Sequence, residues 1–471
     1  MHDCQKATVR TRPRSDNRRD AYHSGRHGMD LVRTDINEDD ERRLFRKVSW
    51  RILPVLCVCY VFSFLDRTNV GYAQLQMRDE LGFSDAVFGL GVSVFFVGYA
   101  LFEVPSNMLL SRIGVRKTFL RILILWGLAS AAMIFVETPT QFYIMRFLIG
   151  VFEAGFVPGV LYYLTLWYPK RRIAQATAIF YMSYTLAPIL AGPAAGAIMT
   201  WLDGVLQLRG WQWLYLLEGL PCVPLGVMAY LLLSEGPKQA RWLTERDRTD
   251  LEQMLDQDRA GHGHARMRDA ILDARVWVLG LIVFLVVFGV FALSFWKPTL
   301  LKGMGLTVMQ VGLAATIPAL FGVTAAILVG RHSDKTGERR WHFAIAALVG
   351  AIGMLCASLF PRDPVMTIAC LTLASIGMSS AYAVFWAMPA TILFGPSAAA
   401  GIAVITTIGS SSGAVAPLLV GALKTLTGGF TASLYLLSGA LVCAAVIFAY
   451  YFRDGADARR VARPASHTSA A

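Results

Sequence analysis

Charge is scarce in this chain. Of its 471 residues, 16% are Asp, Glu, Lys or Arg while 55% are hydrophobic, and the mean hydropathy is +0.50. Soluble domains carry about a quarter charged residues, so an ordinary soluble globular protein is excluded. Acidic residues are the scarcer sign, 32 against 44 basic, for a formal net charge of +12. Cysteine is sparse too: the seven present are odd in number, six lie in apolar stretches, and none has metal-ligand spacing, so they read as small packing residues. A cleavable leader is not expected, because residues 1–49 are polar and carry both signs; the first apolar stretch is the expected insertion signal.

What the chain has instead is long apolar runs. Twelve stretches of about 20 residues, each enough to cross a bilayer, can be read between residues 50 and 452. Sorting the 44 Lys and Arg by the loops these define puts 36 on one side and 6 on the other, with Arg67 and Arg146 inside spans. The basic-rich side is cytoplasmic by the positive-inside rule, which places both termini there and requires an even number of spans. The basic excess is thus topological, and no nucleic-acid partner is expected. The expected divisions are a cytoplasmic tail 1–49 (1–28 disordered, with Met29 a candidate start), a six-helix half 50–233, a cytoplasmic linker 234–275, a second six-helix half 276–452 and a cytoplasmic tail 453–471. The linker carries His262 and His264, which read as solvated rather than metal-binding.

Two runs 223 residues apart reveal an internal duplication: Asn107-Met-Leu-Leu-Ser111-Arg112-Ile-Gly114-Val-Arg116-Lys117 and Gly330-Arg-His-Ser-Asp334-Lys335-Thr-Gly337-Glu-Arg339-Arg340. The same offset pairs Gly82 with Gly305, Gly89 with Gly312 and Leu90 with Leu313. A repeat of this length signals two homologous halves, an architecture common among transporters.

The second run matches in full the loop motif of the major facilitator superfamily, which this chain resembles from about Met29 to Phe452. The first departs, with Asn107 for Gly and Ser111 for the acid. The resemblance implies an all-α membrane protein of twelve helices in two pseudo-symmetric halves, in which these acid and basic residues latch the cytoplasmic gate. Other stretches resemble the anion:cation symporter branch: Phe64-Leu-Asp66-Arg67-Thr-Asn69, Glu103-Val-Pro105-Ser-Asn107, Arg146-Phe-Leu-Ile-Gly150-Val-Phe-Glu153-Ala-Gly155-Phe-Val-Pro158-Gly159, Trp167-Tyr-Pro169, Glu218-Gly219-Leu-Pro221 and Phe385-Trp386-Ala-Met-Pro389. Members of that branch carry organic anions such as tartrate, sugar acids, phthalate and hydroxyphenylacetate, commonly with protons.

The residues that demand explanation are ionisable groups at membrane depth: Asp66, Arg67, Glu103, Arg146, Glu153 and Glu218. Central placement costs about 2.5–3.5 kcal/mol per charge, so four near the middle cost on the order of 10 kcal/mol unless paired or hydrated. A rise of about 1.5 Å per residue puts Asp66, Arg67, Arg146 and Glu153 in one layer. Arg146 and Glu153, seven apart, share a helical face with Gly150 between them. Burial favours a protonated carboxyl and a nearby guanidinium favours an ionised one, so an anion bound to the arginine would link substrate to proton. The resemblance carries over Arg67 as anion ligand and Asp66 with Glu153 as proton carriers; a static buried ion-pair network is the structural alternative. Glu103, near the cytoplasmic end of span two, reads as a gate or structural residue; Glu218 lies near the outer end of span six, and neither is expected to touch substrate or proton. Tyr99, Tyr184, Trp386, Thr406 and Thr407 fall where the family lines its cavity, Thr406 replacing a common Asn. Gly409-Ser-Ser411-Ser-Gly413 satisfies the Gly-x-Ser-x-Gly pattern but lies in an apolar helix, so no nucleophile is expected.

The expected protein is a monomeric, multi-pass transporter of the cell inner membrane, importing a small organic anion with protons by alternating access. It is not expected to be an enzyme, and no cofactor or metal is expected. Uncoupled or exchange transport is the nearest alternative; a non-transporting sensor is the remote one, since the linker resembles no signalling domain.

Overall fold

The computed structural model describes residues 38–259, 272–389, 393 and 398–452. The expectations for residues 1–28, His262, His264 and the tail 453–471 lie outside the described residues. From Leu44 onward the chain forms one compact unit; Glu38–Arg43, the described part of the preceding one, are the start of the first helix.

Among the described residues, twelve helical spans are long and apolar enough to cross a membrane. In order they are α1 (Glu38–Leu81), α2 (Asp85–Ile113), α3 (Val115–Ala131), the pair α4 and α5 (Pro139–Glu153, Phe156–Thr165), α6 (Lys170–Trp201), and the pair α7 and α8 (Gly210–Gly219, Cys222–Leu232). After the linker helix α9 (Glu245–Arg259) come α10 (Ala274–Lys302), α11 (Val308–Thr336), α12 (Arg340–Leu359), α13 (Pro364–Trp386), α14 (Ala398–Thr427) and α15 (Thr431–Tyr451). Helices pair backbone groups within each span, as the bilayer demands.

The duplication now has a local explanation. Gly82 and Gly305, at φ +67° and +87°, make the turns into α2 and α11. Ser84 and Thr307, also 223 apart, cap those helices by accepting from Val87 N and Gln310 N, each at 3.3 Å. Gly114 and Gly337 end them at φ +87° and +67°, conformations costly for residues with a Cβ. The repeat therefore conserves helix punctuation.

The linker is more ordered than its polar sequence suggests. Lys47 Nζ donates to Asp247 Oδ2 at 2.9 Å, Lys170 N donates to Asp258 Oδ2 at 2.6 Å, and Trp242 stacks on Trp167 at 5.5 Å. These contacts dock α9 on the first half.

The two halves meet tightly on the face opposite the termini. A methyl added at Gly192 of α6 would meet the Gly312 carbonyl of α11, and one at Gly312 would meet Gly192. Gly89 packs likewise on the Pro417 carbonyl and Gly71 on that of Phe295, the close helix approach that small residues permit. Polar contacts reinforce the seam. Asp85 Oδ1 accepts from Lys424 Nζ at 2.8 Å and from Gln74 Nε2 at 3.2 Å, while Thr299 Oγ1 donates to Gln74 Oε1 at 3.1 Å.

Replacing Gly312 by Val is expected to hold the halves apart here. Thiol labelling of single cysteines placed along α6 and α11 near this face should rise while helical content is kept; unchanged labelling would contradict the contact.

Candidate functional site

One direct ion pair lies at the centre of the first half. Arg67 Nη2 of α1 donates to Glu153 Oε1 of α4 at 2.5 Å, and Ser63 Oγ, one turn before Arg67, donates to the same oxygen at 2.6 Å. The Glu153 side chain is 1% exposed and that of Arg67 17%, so the arginine is the partner within reach of a solute. Glu153 Oε2 has no hydrogen-bond partner. The guanidinium carbon of Arg67 lies 5.3 Å from the Tyr99 ring centre and 5.6 Å from that of Phe95.

The single charge layer read from sequence resolves into distinct environments. Asp66 has no hydrogen-bonded arginine. Its Oδ2 accepts from Trp126 Nε1 at 2.6 Å, and its Oδ1 accepts from Ser130 Oγ and, at 3.1 Å, from Asn69 Nδ2. Neutral donors on α3 and α1 thus cage a fully buried carboxyl. Arg146 is also fully buried, yet Nε, Nη1 and Nη2 all lack partners, and its guanidinium carbon stands 4.8 Å from the Phe95 ring centre. Arg146 and Glu153 do not pair directly. Both lie on the regular helix α4, seven residues and about 10 Å of rise apart; α4 then stops at Glu153, and Gly155 at φ +89° starts α5 on a new path beside Ser106. Span six is interrupted one residue after Glu218 for a different reason: Pro221 supplies no N–H, while Leu220 and Pro221 keep right-handed helical dihedrals. Unlinked carbonyls at these helix ends disfavour a negative charge nearby. Gly150 sets the spacing of α4 against α2, since a Cβ there would collide with the Phe95 backbone.

The aromatic candidates divide. Tyr184 of α6 stacks on Tyr60 at 6.2 Å and meets Phe64 edge-on at 5.3 Å. Tyr382 of α13, in the other half, stands edge-on to Trp386 at 6.0 Å. Tyr60 and Tyr382 were not foreseen, although Tyr382 precedes Trp386 by one turn. Thr406 and Thr407 are exposed, but their hydroxyls return to their own helix, donating to Ile402 O at 2.8 Å and Ala403 O at 3.0 Å. Among the described residues, no group of three or more His, Cys, Asp or Glu could hold a metal ion.

The Major Facilitator Superfamily model matches residues 56–417 and 279–470. The chain belongs to the major facilitator superfamily. A protein of Agrobacterium vitis named for tartrate transport is 42% identical over 414 residues, covering 88% of this chain and 92% of the relative. The inner membrane transport protein RhmT of Escherichia coli K12 is 36% identical over 402 residues, covering 84% and 92%. A crystal structure of a bacterial homologue of the human lysosomal transporter Spinster shares the fold, with a TM-score of 0.68, 18% identity and coverage of 89% and 99%. This is a multi-pass membrane transporter, not an enzyme.

The superfamily loop motif is built differently in its two copies. In the second, Arg339 Nη2 donates to Asp334 Oδ1 at 3.3 Å and Arg340 Nε to Ala449 O at 2.7 Å, while Gly330 and Lys335 leave the end of α11 open. In the first, Ser111 returns to Met108 O and Asn107 to Glu103 O, and Arg112 and Lys117 are exposed. The missing acid is replaced from span six: Glu235 accepts from the backbone N–H groups of Val115 and Arg116 at 2.7 and 3.2 Å, capping α3. Arg116 Nε donates to Tyr230 O at 2.7 Å. This copy is therefore anchored within its own half.

Arg146 provides a direct test of role against stability. An unpaired buried charge is costly, so Arg146→Met, close in volume, should keep or raise the melting temperature while transport falls by tenfold or more, about 1.4 kcal/mol. A large drop in melting temperature would instead make Arg146 structural.

Proposed function

We propose that this transporter imports a small organic anion, a carboxylate, together with protons, in a bacterial inner membrane with both termini cytoplasmic. The observation that supports this best is the Arg67–Glu153 pair: a buried carboxylate with one free oxygen, bound to an arginine that a solute can reach. A carboxylate arriving at Arg67 competes with Glu153 for the guanidinium. Once released, Glu153 is a buried anion at a helix end, and taking a proton on Oε2 removes that charge. The anion and the proton then travel together, and Arg67 keeps one counter-charge throughout.

With both termini cytoplasmic, the seam between the halves lies on the outer face. Alternating access breaks this seam and closes the opposite face around the same site. Asp66, hydrogen-bonded by Trp126, Ser130 and Asn69 rather than by an arginine, acts as the second proton carrier. Tyr99, Tyr184, Trp386 and Tyr382 provide flat faces for the body of the anion, and Arg146 stands behind Arg67 as reserve positive charge. The name of the Agrobacterium vitis relative fits a hydroxylated dicarboxylate, and the aromatic faces also suit an aromatic acid.

Two measurements test the reading. Thermal-shift screening against tartrate, sugar acids and aromatic acids should show stabilisation by at least one acid that Arg67→Ala abolishes; stabilisation by cations or neutral sugars alone would overturn the anion assignment. In proteoliposomes, an imposed pH gradient should drive accumulation of that acid, and Glu153→Gln and Asp66→Asn should each lose it. Accumulation retained in both variants would sink proton coupling.

A further inference from the structure

The mechanism leaves one buried carboxyl unused. Glu218, on α7, is 3% exposed, and its Oε2 has no partner. The titratable groups acting on it are Asp66 and Tyr72 from α1 and Tyr215 and Cys222 from its own span. Asp66, a like charge, dominates among these, and the polar side chain within hydrogen-bonding range is Asn69. Trp211 N donates to Gln76 Oε1 at 2.8 Å, which fixes α7 against α1. Counting about 10 Å inward along both antiparallel helices from that bond puts Glu218 level with Asn69, one turn outward of Asp66.

Asn69 is itself half satisfied. Its Nδ2 donates to Asp66 Oδ1 at 3.1 Å, while its Oδ1, buried, has no donor. A proton on Glu218 would supply that donor and satisfy both orphan atoms at once. Asn69 has one amide group to give to two carboxyls. The carboxyl that receives the N–H is the ionised one; the other holds the proton and donates to Oδ1.

We propose that Glu218 is a positioning residue of the proton pathway, sharing one proton with Asp66 through the side-chain amide of Asn69. When Glu218 gives up its proton and Asp66 gains one, net charge is unchanged and the amide turns to face Glu218. A buried Glu beside a helix interruption occurs at Glu153 and, where Pro221 donates no N–H, again at Glu218, and carbonyls left without a donor disfavour an anion at both. This proposal rests on the proton-coupled reading above.

The test is transport by the full chain in proteoliposomes, using the acid found by thermal shift. Glu218→Gln should lose accumulation driven by a pH gradient, be impaired far less in counterflow, and displace the pH profile of counterflow; Glu218→Asp should restore part of the accumulation. Should Glu218→Gln fail to assemble, Asn69→Ala carries the same test, because it severs the link with both carboxyls intact and should displace the pH profile likewise. A Glu218→Gln protein that accumulates substrate with the unsubstituted pH profile overturns the proposal. So does equal loss of accumulation and counterflow in Glu218→Gln and Glu218→Asp, which would mark a packing role. Absence of gradient-driven accumulation in the unsubstituted protein would overturn proton coupling itself, a result distinct from either.

Discussion

An ion pair placed where water is excluded forces much of the surrounding architecture. Arg67 and Glu153 sit on different helices, and either charge left alone in this layer would cost several kcal/mol. Their 2.5 Å contact requires α1 and α4 to present them at one depth, with Gly150 letting α4 press against the Phe95 backbone of α2. The pair sits where α4 ends, at Glu153, and Gly155 takes the left-handed conformation that glycine adopts without a Cβ penalty.

Polar groups elsewhere in the first half are placed with the same economy. Asp66 is satisfied by three neutral donors rather than by an arginine, although both carboxylates lie within the same layer. Arg146, without a hydrogen-bond partner, and Glu153, with one oxygen free, are the kind of incomplete satisfaction that packed cores avoid and functional sites retain. The second half has no buried charge at the equivalent positions, where Gly289, Val290, Ala369 and Ile376 stand. It contributes Lys424 to the seam, and its Tyr382 stands edge-on to Trp386.

The seam shows how the halves can move without losing specificity. Its backbones approach closely at Gly192, Gly312 and Gly89, and Phe96 packs across it on Phe291 and Phe295 at 5.0 and 6.1 Å. Asp85, Lys424, Gln74 and Thr299 lie where water can replace each hydrogen bond as the face opens.

The span count, the duplication and the four inner charges were legible in the sequence because each rests on local physics: apolar length, helix punctuation and the cost of charge in lipid. Their partners were not. Trp126, Ser130 and Asn69 as the ligands of Asp66, Glu235 as the acid that replaces the one missing at Ser111, and Lys424 opposite Asp85 bring together residues up to 339 positions apart, and no periodicity records which faces meet. The helix breaks lie between these cases: Gly155 with Pro158 and Gly219 with Pro221 marked weak points, but whether the chain bends there depends on neighbouring helices re-satisfying the freed carbonyls. Sequence alone determined that charges must be buried in the first half and that two halves must be joined. Only the tertiary structure decided which charge pairs, which is caged and which stands free, because hydrogen-bond pairing is set by distances between separate helices.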